Sequence, residues 1–167
     1  MPKNKGSERI GQARYAIDVV YELQHLATED EAAAKLLRTS GHFRHAIYFY
    51  LQAIEKTVRS EIFRIVDPGN AFFRDYNRHH SLKMSFDFFA QIVSSDLLKR
   101  GELRERLDAV VSPAAQHEAL NNGLRYPWFS ERFGQHNVSD FDQLDADTVA
   151  GSLADLKQVL KEIERYR

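Results

Sequence analysis

The chain has no cysteine among its 167 residues, so it can hold neither a disulfide nor a thiolate-bound metal, and it fits a reducing compartment. Long hydrophobic runs are missing as well. No stretch of about 18 apolar residues occurs, which argues against a membrane-spanning helix. The opening Met-Pro-Lys-Asn-Lys-Gly-Ser carries no apolar segment and does not read as a secretory signal, so the expected location is the cytoplasm. An excess of one charge is absent too: 23 Lys and Arg against 24 Asp and Glu leave a net charge of −1. Bulk electrostatics therefore do not demand nucleic acid, and any polyanion site has to be a local patch. A Gly-rich phosphate loop, a Ser nucleophile elbow and a zinc signature are all lacking. So are an internal repeat, a low-complexity tract and any strand of convincing period.

What is present is helix after helix. Apolar content of 43% and charged content of 28% are ordinary for a globular chain, and the length suits a single domain over residues 1–167 with its own core. Residues 1–6 are a polar lead-in, expected to be flexible. Ser7 suits an N-cap, and Ile10, Ala13, Ile17, Val20 and Leu23 recur at helical spacing. Thr28-Glu-Asp-Glu predicts a new helix start, with an end near Ser40-Gly41. A long helix follows from His42 to Val66, striped by Phe43, Ile47, Leu51, Ile54, Val58, Ile62 and Ile65, with Ala46 and Ala53 allowing close approach beside the stripe. Asp67-Pro-Gly-Asn stops it. Leu82, Phe86, Phe89 and Val93 mark the next helix. Ser94-Ser-Asp caps a segment expected to break near Gly101, and Ser112-Pro113 has the form of an N-cap followed by proline at the first helical position. Leu124–Phe129 reads as an extended aromatic crossing because Pro127 biases Tyr126 away from the α region. Residues 130–144 read as an irregular loop. Asp145 or Asp147 caps a last helix with Val149, Leu153, Leu156, Leu160 and Ile163 in register. The expected architecture is all-α: an antiparallel up-and-down helical bundle.

One stretch concentrates chemistry. Phe72–Phe86 carries Arg74, Arg78 and Lys83 as fixed cations, His79 and His80 as proton carriers, and Asp75 and Asn77 as hydrogen-bonding partners, with aromatics on both sides. If it is helical, Asp75 and His79 share a face and the carboxylate can fix one imidazole tautomer. Arg74 and His79 then lie roughly 140° apart, so one helix cannot aim both at one atom. Either Arg74 precedes the regular turn or a second copy of the chain completes the site. His79 and His80 diverge by about 100° on a helix and cannot chelate a metal together, and Asp75 with His79 lacks a third ligand, so no metal is expected. An isolated run of this kind is also what a plain solvated helix face looks like. Elsewhere, His42 and His45 read as surface or capping groups. Glu55 reads as a structural hydrogen-bonding group. Arg125-Tyr126-Pro127-Trp128 reads as packing, with stacking on a base as the other option.

The order of these features resembles the HEPN superfamily (higher eukaryotes and prokaryotes nucleotide-binding domains). The likeness spans about residues 28–128: a helix closing at Leu37–Gly41, the His42-Phe-Arg-His-Ala-Ile-Tyr-Phe-Tyr-Leu-Gln-Ala-Ile-Glu-Lys helix start, the Arg74…His79 run and the late Arg125-Tyr126-Pro127. Ala46, Gln52-Ala53 and Glu55-Lys56 look like the family's second helix. Arg74-Asp75-Tyr76-Asn77-Arg78-His79 looks like its catalytic signature, and His80 fits it as well. Phe73-Arg74…His79…Lys83 is loosely similar to the abortive-infection members.

The resemblance implies a metal-independent endoribonuclease of a toxin–antitoxin or antiphage system, needing no cofactor. It implies a homodimer in which the signature segments face each other, with RNA as substrate and a nucleotidyltransferase-like protein as a candidate antitoxin. Arg74 with His79 or His80 would be catalytic, and Asp75, Asn77, Arg78 and Lys83 would contact substrate. The chemistry implied is attack of an RNA 2′-hydroxyl on the adjacent phosphate. A non-catalytic module that binds a nucleotide or a partner protein is the alternative within the family. A purely structural bundle that dimerises through aromatics is the alternative outside it.

Overall fold

The computed structural model describes residues 18–67, 70, 81–119, 124–125 and 127–167. Within them the chain forms α1 (Val19–Thr39), α2 (Phe43–Ile65), α3 (Leu82–Val93), α4 (Leu97–Ala119), a hairpin of β1 (Trp128–Ser130) and β2 (Gln135–Asn137), α5 (Gln143–Lys161) and a closing 3₁₀ turn at Ile163–Tyr166. Helix dominates, as the apolar periodicity predicts. Consecutive helices pack on one another, and α5 closes the bundle by lying against both α2 and α4. One cluster of buried residues draws on all five helices, with Tyr50, Ile54, Phe89, Leu103, Leu107, Val149 and Leu156 among its members.

α2 is the central element. Its expected stripe is buried at Ile47, Leu51, Ile54, Val58 and Ile62, and Ala46 and Ala53 are buried beside it. The stripe ends there, since Ile65 is 39% exposed. Ser40 and Gly41 make the turn from α1, and Gly41 sits at φ 76°, where a Cβ would be strained. Glu55 is buried and pairs with Arg59 at 3.0 Å, a structural use of the carboxylate. At the far end, Asn70 N–H donates to the Asp67 carbonyl at 3.1 Å, in keeping with the turn signature there.

Several expected boundaries are corrected. α1 starts at Val19, because the Asp18 carboxylate accepts from the N–H groups of Val20 and Tyr21; the Ser7 cap and the spacing before residue 18 lie outside the described residues. Thr28-Glu-Asp-Glu is not a helix start but the middle of α1. The Thr28 hydroxyl donates back to the Gln24 carbonyl at 2.9 Å, which lets it sit in a helix interior. The acids that suggested a first turn serve as ties instead: Asp30 accepts from Lys56 of α2, and Glu31 accepts from Lys157 of α5 and pairs with Lys35 at 2.9 Å. Burial alone would raise the Glu31 carboxyl, and the lysine hydrogen bonds outweigh it and hold it below its ordinary value. That contribution is present at neutral pH and is lost as pH falls through the lowered value.

α4 runs unbroken through Gly101 and Pro113. Its start is fixed by Asp96, whose carboxylate accepts from Leu98 N–H at 2.8 Å and Lys99 N–H at 3.2 Å. Pro113 removes the hydrogen bond to the Ala109 carbonyl, and Ala109 is exposed, so water can satisfy that oxygen and the helix continues. Of the expected extended segment, Leu124 and Arg125 are helical while Trp128 and Phe129 are extended in β1, and the expected loop over residues 130–144 holds the rest of a hairpin, with Phe129 opposite His136 and Gly134 in the turn at φ 61°. α5 is capped by Asp142, with Asp145 reciprocating as the third helical residue of a capping box, while Asp147 pairs with Arg38 of α1 at 3.1 Å. Arg106 of α4 fastens the C-terminus by donating to Glu162 at 2.9 Å and to the Tyr166 hydroxyl at 2.6 Å.

Candidate functional site

Arg74, Asp75, Asn77, Arg78, His79 and His80 all lie outside the described residues. Their surroundings in the chain are described. Ser81 is extended and caps α3 by accepting from Met84 N–H at 3.4 Å, so α3 begins only after both histidines and adds no turn to them. α3 is strongly anchored: Leu82, Phe86, Phe88, Phe89, Ala90 and Val93 are buried. Lys83 stands exposed on its first turn. Its Nζ lies 3.8 Å from Asp87 Oδ2, and Arg104 of α4 holds the other oxygen of the same carboxylate at 2.8 Å. The ammonium is therefore a solvated cation beside an acid that a second helix already engages, worth little to stability and open to a polyanion.

A second constellation lies among the described residues. A cleft of about 360 Å³ opens beside the first turns of α2, lined by Arg44, His45, Tyr48 and Phe49 together with Leu124 and Arg125. Arg44 donates to the Ser139 carbonyl, and its guanidinium stands 5.8 Å from the Phe141 ring centre. The Arg125 guanidinium stands 5.8 Å from the Tyr48 ring centre. Tyr48 and Phe49 meet edge to face at 5.5 Å. No carboxylate is among the described residues of the lining. The first turn of α2 carries no acid either, and His42 occupies the cap position without a side-chain cap bond. Cations at this end of a helix oppose the macrodipole by about 0.3–1 kcal/mol each. A breach of local preference on that scale is what functional positions show.

The sequence alone does not bring these residues together. It marks His45 as a surface or capping group, and the side chain is exposed, and it marks Arg125 as packing with base stacking as the other option. The legible signal was the basic, acid-free first turn with aromatics one turn on, at Arg44/Tyr48 and His45/Phe49. That Arg125 joins them from far along the chain could not be read from spacing.

A smaller hollow, about 170 Å³, lies between α1, α2 and α5 and is lined by Gln24, Thr28, Thr57, Ser60, Glu61 and Lys157, among others. Burial pushes the Glu61 carboxyl above its ordinary value, against the pull of Arg64 and Arg167. A carboxyl raised in the fold is penalised while ionised, so stability rises as pH falls through the raised value. Glu61→Gln is therefore expected to melt higher than the parent at pH 7, with the gap narrowing as pH falls through the raised value. Equal melting temperatures at pH 7 would show that the arginines fully offset the burial.

The described structure is thus a helical bundle bearing a basic, aromatic-lined cleft. None of its described helices is long and apolar enough to cross a membrane. Compared with protein families, curated proteins and solved structures, the chain matches no family model, no curated protein and no solved structure.

Proposed function

We propose that the protein is a metal-independent endoribonuclease acting as a homodimer, of the kind used in toxin–antitoxin or antiphage systems. The observation that carries this reading is the run Arg74-Asp-Tyr-Asn-Arg-His-His placed directly ahead of the capped, buried helix α3, in a chain whose described part is a helical bundle. The HEPN-like order of features along α2 supports it. His79, or His80, takes the proton from the 2′-hydroxyl as its oxygen bonds to the adjacent phosphorus. The bond to the 5′-oxygen breaks, and that oxygen is protonated by a general acid. Arg74 stabilises charge on the phosphoryl oxygens, helped by Arg78. Lys83 contributes longer-range attraction. The 2′-hydroxyl requirement restricts the activity to RNA.

The test is incubation of the purified chain with total RNA in EDTA, followed by analysis of the fragment ends. Cleavage that persists and leaves 2′,3′-cyclic phosphate and 5′-hydroxyl ends is the expected result. Intact RNA, or fragments with 5′-phosphates, would overturn the reading.

A further inference from the structure

We propose that the hollow between α1, α2 and α5 binds a small primary alkylammonium, which donates its N–H groups to the Glu61 carboxylate and to the hydroxyl oxygens of Thr28 and Ser60. No residue of the Arg/His run takes part. The hollow lies on a helix seam that turns polar where apolar packing is the usual filling. Gln24 and Thr28 stand one turn apart on α1, and Thr57, Ser60 and Glu61 share a face of α2. Two of the hydroxyls have their protons committed to the backbone: Thr28 donates to the Gln24 carbonyl at 2.9 Å, and Ser60 to the Thr57 carbonyl at 2.8 Å. Lone pairs are what remain on those oxygens, so toward a ligand they only accept. Thr28 is exposed and Ser60 buried, so the acceptors run inward from the mouth. The Gln24 amide oxygen can accept as well.

Glu61 supplies the charge. Its side chain is 19% exposed, and its ion-pair partner Arg64 stays 3.4 Å from one carboxylate oxygen and 3.5 Å from the other. A close charge-assisted bond is about 2.7–2.9 Å long, so this pairing is loose. Burial accordingly outweighs Arg64 and Arg167 and lifts the carboxyl above its ordinary value. An ammonium seated against it favours the ionised form and makes the contact that the fold leaves open. The cation in the lining, Lys157, does not fill that place, because its Nζ donates to Glu31 of α1. Size sets the length of the ligand. A volume of about 170 Å³ suits a molecule of about six non-hydrogen atoms, and Ala27 gives the methylenes a short apolar wall. A bare metal ion would leave most of that space unfilled, and no group of three or more His, Asp or Glu able to hold one occurs among the described residues.

The test titrates the full chain with n-butylamine at pH 7 and constant ionic strength, read by backbone amide shifts. Saturable shifts around the hollow on α1 and α2 are expected. Two controls of similar size should bind far more weakly: 1-butanol, which lacks the charge, and tetramethylammonium, which lacks the N–H donors. Glu61→Gln keeps the shape and removes the charge, and should weaken binding roughly 10- to 100-fold, as for a hydrogen bond to a charged group. Ser60→Ala should weaken it roughly 2- to 10-fold. Arg64→Gln should tighten it, because the competing guanidinium is gone, and a gain in affinity is a result that damage to the fold does not produce. No saturable shift, equal affinity for either control, or binding unaltered in Glu61→Gln overturns the inference. So does displacement by an equal concentration of K⁺, which marks a metal-ion site instead. None of these outcomes bears on RNA cleavage, so the two readings stand or fall separately.

Discussion

His79→Ala is expected to lower RNA cleavage by about 10²–10⁴-fold, and Arg74→Ala by about 10²–10³-fold, with no change in melting temperature. The first figure is what a positioned proton carrier contributes. The second is what one preorganised donor to a developing oxyanion contributes. Arg74→Lys should not restore the rate, since an ammonium lacks the planar fork that spans two phosphoryl oxygens. His80→Ala decides which imidazole works: if it abolishes cleavage while His79→Ala leaves it, the assignment to His79 is wrong. The dimeric arrangement makes a sharper demand. If Arg74 of one protomer meets His79 of its partner, co-refolding equal amounts of the two dead variants returns about a quarter of the parent activity. Half the dimers are then mixed, and each mixed dimer holds one intact site. A site completed within one protomer returns none.

Phe89→Ala is expected to cost about 3–5 kcal/mol in unfolding free energy, read as a lower urea midpoint at unchanged slope. Phe89 is 1% exposed and lies in the middle of α3, between the buried Phe86 and Val93. Removing its ring leaves a cavity that the helices around it cannot close without moving. The loss is a large share of the roughly 5–15 kcal/mol that holds a typical domain together. It also bears on function through position. α3 fixes Ser81, and the Arg/His run ends immediately before it, so loosening this helix frees the tether of the run. A cost below ~1 kcal/mol would show that α3 is packed less tightly than its burial indicates.

The sequence made the helices legible wherever a long apolar stripe met a sharp stop. α2 is the clearest case: seven apolar positions at helical spacing, closed by Gly41 on one side and Asp67 on the other, left little freedom. Errors came where a local signal has two physical uses. Acids after Thr28 can begin a helix or pair with lysines across a bundle, and only packing chooses between them. Ser112-Pro113 can open a helix, yet a proline is tolerated mid-helix when the orphaned carbonyl faces water. The hairpin was invisible because its strands are too short for alternation to show. The Arg/His run was legible as chemistry from residue types alone, whereas the cleft at Arg125 depends on a contact between residues far apart in the chain.

α1 touches the rest of the protein in an unusual balance. Its buried residues are Ala27 and Ala34, which bring little apolar area. Its charged side chains reach Lys56, Lys157 and Asp147 on two other helices. An element seated by small side chains and partly solvated ion pairs answers to ionic strength more than one seated by large aromatics. In rising salt its backbone amides should be the earliest of the five helices to exchange with solvent, long before those of α2, so the outer helix acts as a separable cooperative unit clasped onto a more durable centre.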